Sequence, residues 1–113
     1  MAACIFCDII AGRKSGVKMY EDDLLLAIED IDPRAPVHLL IMPKRHVPTL
    51  LDIQPDDTMW LTAVPFVANQ LARQQGIADS GYRLVVNVNH GGGQVIFHVH
   101  FHLMGGRHLR WPP

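Results

Sequence analysis

His98-Val99-His100-Phe101-His102-Leu103-Met104 spaces three histidines two residues apart. In a β-strand successive side chains alternate between faces, so all three imidazoles point one way, whereas a helix would scatter them around its circumference. The intervening residues Phe97, Val99, Phe101 and Leu103 form an apolar, aromatic and branched row suited to the buried face of a half-buried strand. Imidazoles about 6 to 7 Å apart along one face suit either metal coordination or a nucleophile, an acid and an orienting group in one site. A merely solvated histidine-rich edge would have no reason to alternate with core residues.

The stretch just before this strand bears on the choice. Asn87-Val88-Asn89-His90-Gly91-Gly92-Gly93-Gln94 is a glycine cluster whose backbone amides can converge on an anion. It is not a Walker loop, because no Gly-Lys-Ser/Thr follows, nor a Rossmann turn, because a strand follows where a helix should. Taken alone, three glycines before a strand also fit a plain hairpin turn.

These residues together resemble the histidine triad (HIT) nucleotide-binding family, whose motif alternates histidines with hydrophobic residues and ends in two more hydrophobics, as His98 to Met104 do. The similarity continues through Asp30 to His38, Ile41 to His46, Gly81 to Asn87, Gly105-Gly106-Arg107 and Trp111-Pro112-Pro113, and so covers nearly the whole chain. The carboxy-terminal segments look like the phosphoramidate-hydrolase branch rather than the dinucleoside-polyphosphate branch.

Composition is compatible with that. The 113 residues have room for one domain, 1–113, around one core, and 49% hydrophobic and 19% charged residues are typical of a folded globular chain. A formal charge of −1 gives no basic stripe to displace counterions from a nucleic acid polymer, so a single nucleotide is the compatible partner. With no basic n-region, no signal-type apolar run and no membrane-length segment, the expectation is a soluble cytoplasmic protein.

In chain order, Ile5 to Ala11 reads as a short helix stopped by Gly12, with Cys4 and Cys7 as a CxxC pair at its start. On the pair alone, free thiols packed as small hydrophobes remain open. The resemblance implies a structural zinc site of Cys4, Cys7, His46 and His98. Val17 to Glu21 and Leu24 to Ile28 read as a hairpin, and Asp30-Ile31-Asp32-Pro33 as a loop stiffened by Pro33 and Pro36. His38 to Pro43 is uniformly apolar and hence a central strand, and Tyr82 to Asn87 a fourth strand. Pro55 to Gln75 carries helical periodicity, with Trp60 in its packing face and a kink or break expected at Pro65. The fold class expected is α+β, a HIT-like antiparallel sheet with a short amino-terminal helix and one longer central helix.

The resemblance also implies roles. Asp30 would accept from ribose hydroxyls and Ile31 would pack on the base. Asn87, Gly93, Gln94 and Val95 would hold the phosphate, with His100 and His102. His100 would be the nucleophile at the α-phosphate, His102 would contact phosphoryl oxygens or the leaving group, His98 would buttress His100, and His38 would support the triad. The implied chemistry is hydrolysis or transfer on purine nucleoside phosphoramidates or adenylyl conjugates, releasing AMP or GMP without a catalytic cofactor. A nucleotide-binding regulatory module with little turnover, a dinucleoside polyphosphate hydrolase and a three-histidine metalloprotein are the rival readings. Val95 stands where that branch often has a serine, which bears on leaving-group preference. A homodimer with sheets joined edge to edge is implied too, with Arg107, Trp111, Pro112 and Pro113 approaching the partner's pocket.

Overall fold

The computed structural model describes residues 3–113. Seven elements make up the frame: α1 (Ile5–Ile10), β1 (Lys18–Glu21), β2 (Leu25–Glu29), β3 (Val37–Pro43), α2 (Thr58–Gln74), β4 (Tyr82–Val86) and β5 (Phe101–Gly105). The strands form one antiparallel sheet in the order β1-β2-β3-β5-β4, so the apolar β3 is indeed central. The expected α+β architecture is therefore the observed one.

Because side chains alternate along each strand, the sheet presents two unlike faces. Leu25, Ala27, Leu39, Ile41 and Leu103 lie on one face and pack against Trp60, Val64, Val67, Ala68 and Leu71 of α2. On the opposite face Leu26, Ile28, Leu40 and Met42 pack against Phe6 and Ile9 of α1. That second helix is short, so it covers only part of its face. The remainder, toward β4, has no helix packed on it among the described residues.

The histidine stretch departs from the simple strand. Only Phe101–Gly105 pairs in the ladder, and His98 to His100 leave it to meet the segment after β3, where the Val99 amide donates to the Val47 carbonyl at 2.7 Å. The alternation survives without the ladder: Val99 is buried on the α2 side, while Phe6 lies edge-on to both His98 and His100, at ring separations of 5.8 and 5.0 Å. Phe97 is not part of the apolar row; it packs on His90 instead, at 5.1 Å.

The helix break expected at Pro65 does not occur, and α2 runs through it as one element. Pro65 stands on the solvent side, where water can serve the carbonyl that loses its donor. Asp57, at the start of this helix, is buried and compensated by Arg45 at 2.6 Å, the Trp60 indole at 2.7 Å and the Gln54 amide at 2.8 Å. Trp60 is thus packed and tethered as the periodicity requires. No helix among the described residues is long and apolar enough to cross a membrane.

Candidate active site

A cavity of about 480 Å³ opens where α1, the 30–34 loop and the sheet meet, within the range usual for small-molecule sites. Its apolar half is lined by Ile5, Phe6, Ile9, Ile28 and Ile31, and its polar half by Asp30, His38, Asn87, Gly93, His100 and His102. Of the residues expected there, Asp30, Ile31, Asn87, Gly93, Val95, His38, His100 and His102 all reach it. The α1 residues read from the sequence only as core; their apolar side faces the cavity as well as the sheet.

Hydrogen bonds fix the protonation of each ring. His100 Nδ1 lies 2.8 Å from the His98 carbonyl, which can only accept, so Nδ1 carries the proton and Nε2 keeps its lone pair. His38 Nδ1 receives the Arg34 amide at 3.0 Å, so its proton is on Nε2. That Nε2–H faces His102 Nδ1 at 2.9 Å and the Asp30 carboxylate at 3.3 Å. His102 consequently accepts at Nδ1 and presents Nε2–H as a donor. Burial pushes His38 and His100 below the ordinary histidine pKa, and burial, reinforced by the neighbouring His100 and His38, brings His102 down to about 4. All three rings are neutral near pH 7, the form in which an imidazole nitrogen is nucleophilic.

His98 follows a different course. Its ring does not line the cavity, and it supports His100 through its backbone carbonyl rather than its imidazole. His98 Nε2–H donates to the Pro43 carbonyl at 2.8 Å, which leaves Nδ1 as the lone-pair nitrogen. Around that nitrogen stand Cys4 Sγ at 3.4 Å, Cys7 Sγ at 3.6 Å and His46 Nδ1 at 3.2 Å, with Cys7 Sγ and His46 Nδ1 themselves 3.3 Å apart. Tetrahedral zinc with bonds of about 2.0 to 2.3 Å sets ligand atoms about 3.3 to 3.8 Å apart, so this donor set fits the ion. Burial and the adjacent Cys4 push the Cys7 thiol up to about 11, and a divalent cation is the group that would reverse this and hold it as thiolate.

The glycine loop corrects the expected phosphate cradle. The Gly93 amide donates to the His90 carbonyl and the Gln94 amide to the Asn89 carbonyl, both at 3.0 Å, because the loop winds into a tight turn closed by Gly93 in the left-handed region, φ 86°. Of the three amides expected to face phosphate, only that of Val95 is unpaired among the described residues. The Gln94 side chain also turns away from the cavity, donating to the carbonyls of Pro48 at 2.7 Å and Ile96 at 3.1 Å, and is 2% exposed. Gln94 holds the loop in place. Asp30 likewise does two things, since one oxygen accepts the Asp32 amide at 2.8 Å in a local turn while the other faces His38.

Fold and site together define a class. The HIT domain profile matches residues 11–109. The purine nucleoside phosphoramidase of Escherichia coli (strain K12) is 44% identical over 105 residues, covering 93% of this chain and 88% of that protein. A HIT family hydrolase from Legionella pneumophila Philadelphia 1 superposes with a TM-score of 0.95 at 47% identity, covering 98% of this chain and 99% of that one. A histidine triad nucleotide-binding protein from Candida albicans superposes with a TM-score of 0.83 at 33% identity, covering 98% and 84% of the two chains. The chain belongs to the HIT-domain family and is an enzyme of its hydrolase class.

Proposed function

We propose that the protein hydrolyses purine nucleoside phosphoramidates and related adenylyl conjugates through a nucleotidyl-histidine, releasing AMP or GMP. The observation that carries this is the tautomer of His100, whose Nδ1 is tied to a carbonyl so that an uncharged Nε2 lone pair is left at the cavity wall. The apolar half of the cavity takes the base, Ile31 packs on it, and Asp30 accepts from the ribose hydroxyls. Asn87 and the Val95 amide hold the phosphoryl oxygens, with Gly93 shaping the loop.

In the first step His100 Nε2 forms a bond to phosphorus as the P–N bond breaks, its electron pair returning to nitrogen, which leaves as the amine after taking a proton from solvent. His102 Nε2–H donates to a phosphoryl oxygen as charge builds, and His38 keeps it in that tautomer. Water then attacks phosphorus, His100 departs with its electron pair, and the water's proton returns to solvent. Adenosine phosphoramidate assayed by phosphorus NMR tests the activity, and mass spectrometry of peptides quenched and digested at alkaline pH, where a phosphorus–imidazole bond survives, tests the intermediate. Adenylate on a His100 peptide is expected; adenylate on another residue, or none during turnover, excludes the mechanism.

A structural zinc held by Cys4, Cys7, His46 and His98 belongs to the same reading, with no part in the chemical step. It would clamp α1 to the segment after β3. A homodimer joined at a sheet edge is also proposed. The outer edges of β1 and β4 have no strand beside them among the described residues, and light scattering after gel filtration reads the mass directly.

A further inference from the structure

His38 is held by the loop that carries Asp30 and Ile31. The Asp30 amide donates to the His38 carbonyl at 3.0 Å and the Arg34 amide to His38 Nδ1 at 3.0 Å, so the segment is fastened to that residue at both ends. A ring nitrogen of His38, one of His102 and a carboxylate oxygen of Asp30 lie within 4.8 Å of one another. A metal ion does not suit this cluster, because Nδ1 of His38 is occupied by the Arg34 amide and Nε2 carries the proton. What the three side chains share is that proton.

Two acceptors compete for it. His38 Nε2–H lies 2.9 Å from the neutral His102 Nδ1 and 3.3 Å from the anionic Asp30 Oδ2. The imidazole has the shorter contact, but the carboxylate is the stronger acceptor, since a charge-assisted hydrogen bond is roughly twice as strong as a neutral one. Asp30 Oδ1 is engaged by the Asp32 amide at 2.8 Å, which leaves Oδ2 as the freer oxygen for a ligand. The Asp30 side chain keeps 18% exposure against 4% for His38, so the carboxylate is the group a sugar meets. Burial is the main influence lowering the pKa of His38 and of His102, and at both rings the Asp30 charge works against it. The carboxylate is thus felt by both partners of the hydrogen bond.

We propose that Asp30 is a positioning residue as well as a sugar contact, and that a ribose hydroxyl donating to its freer oxygen commits the His38 proton to His102. The inference rests on the reading above, in which Asp30 takes the ribose and His102 donates to a phosphoryl oxygen. No proton is transferred: it stays on His38 Nε2, and only its acceptor changes. With the hydroxyl in place the carboxylate is satisfied by the sugar, His102 Nδ1 accepts without competition, and Nε2–H stays available for the phosphoryl group. Without it, part of the His38 bond goes to Asp30, and His102 is released to hold its own proton on Nδ1, where it cannot serve phosphorus. A contact remote from the reacting atoms is thereby spent on rate rather than on affinity alone.

The test compares the 5′-phosphoramidates of adenosine and of 2′,3′-dideoxyadenosine in single turnovers at saturating substrate, where the rate of nucleotidyl transfer to His100 is separated from binding. In the native enzyme the ribose substrate should react about tenfold faster, the lower end of what losing the partner that orients a reacting ring costs. His38→Ala should bring that rate ratio to near one, while the ratio of the two dissociation constants, set by Asp30 itself, stays as in the native enzyme. Asp30→Asn, which removes the competing anion, should also bring the rate ratio to near one. Each ratio is measured within one protein and so is insensitive to how much of a variant folds. A native rate ratio near one, or one that persists in either variant, means that the hydroxyls act through binding or placement alone and overturns the coupling. Failure of the native enzyme to turn over adenosine phosphoramidate sinks the reading beneath it instead.

Discussion

His98 and His100 are separated by one residue, lie against the same phenyl ring, and are prepared for opposite work. Each has one ring nitrogen tied to a backbone carbonyl at 2.8 Å, but in His98 it is Nε2, through Pro43, and in His100 it is Nδ1, through His98 itself. The free nitrogen of His98 therefore faces two thiols and a second imidazole, while that of His100 faces a ligand-sized cavity. Identical side chains acquire different chemistry because the backbone decides which lone pair remains.

The harshest way to break the contrast is His100→Gly. Turnover should fall by at least about a thousandfold while calorimetry still detects AMP binding, and a variant that keeps its rate would erase the distinction. Cys4→Ser combined with Cys7→Ser addresses the other ring. Metal analysis should show the loss of one zinc, and the thermal midpoint should drop by about 10 °C, with kcat per folded molecule changing less than about threefold; a collapse of kcat would mean the two histidines are not independent. His38→Ala sharpens the contrast from the cavity side, freeing His102 to take the wrong tautomer. There kcat should fall by about 10- to 100-fold with KM nearly constant, and a change confined to KM would assign His38 to binding.

The smallest effect is on stability. His102 has a folded pKa of about 4 against 6.5 ordinarily, so between those values the unfolded chain binds a proton that the folded one refuses. Stability therefore rises with pH across that window and is lost as pH falls from about 6.5 toward 4. Denaturant midpoints at pH 7 and pH 5 measure this, and His102→Gln should reduce the difference by the share of this one ring, with His38, His98 and His100, also held below their ordinary pKa by burial, supplying the rest.

Much of this is legible in the sequence. Alternation of histidine with core residues requires one face for the imidazoles, and that holds even where the ladder stops, because Val99 still buries against α2. The strand's true start at Phe101 was not legible: Val99 pairs with Val47, a contact across 52 positions that no local pattern encodes. Gln94 and Gly93 show the limit most clearly. A glycine-rich loop advertises free amides, yet whether they are free depends on how tightly it winds, and here the turn consumes them. The contact of Arg83 with the Arg110 carbonyl was equally hidden, since it forms only when the tail folds back over the sheet.

Arg107 bridges the carbonyls of His108 and Arg34, a tie spanning 73 positions to the loop that carries Asp30 and Ile31. Arg107 thus fastens the carboxy-terminal segment to the loop proposed to hold sugar and base. Arg107→Ala would undo that fastening without touching the triad histidines.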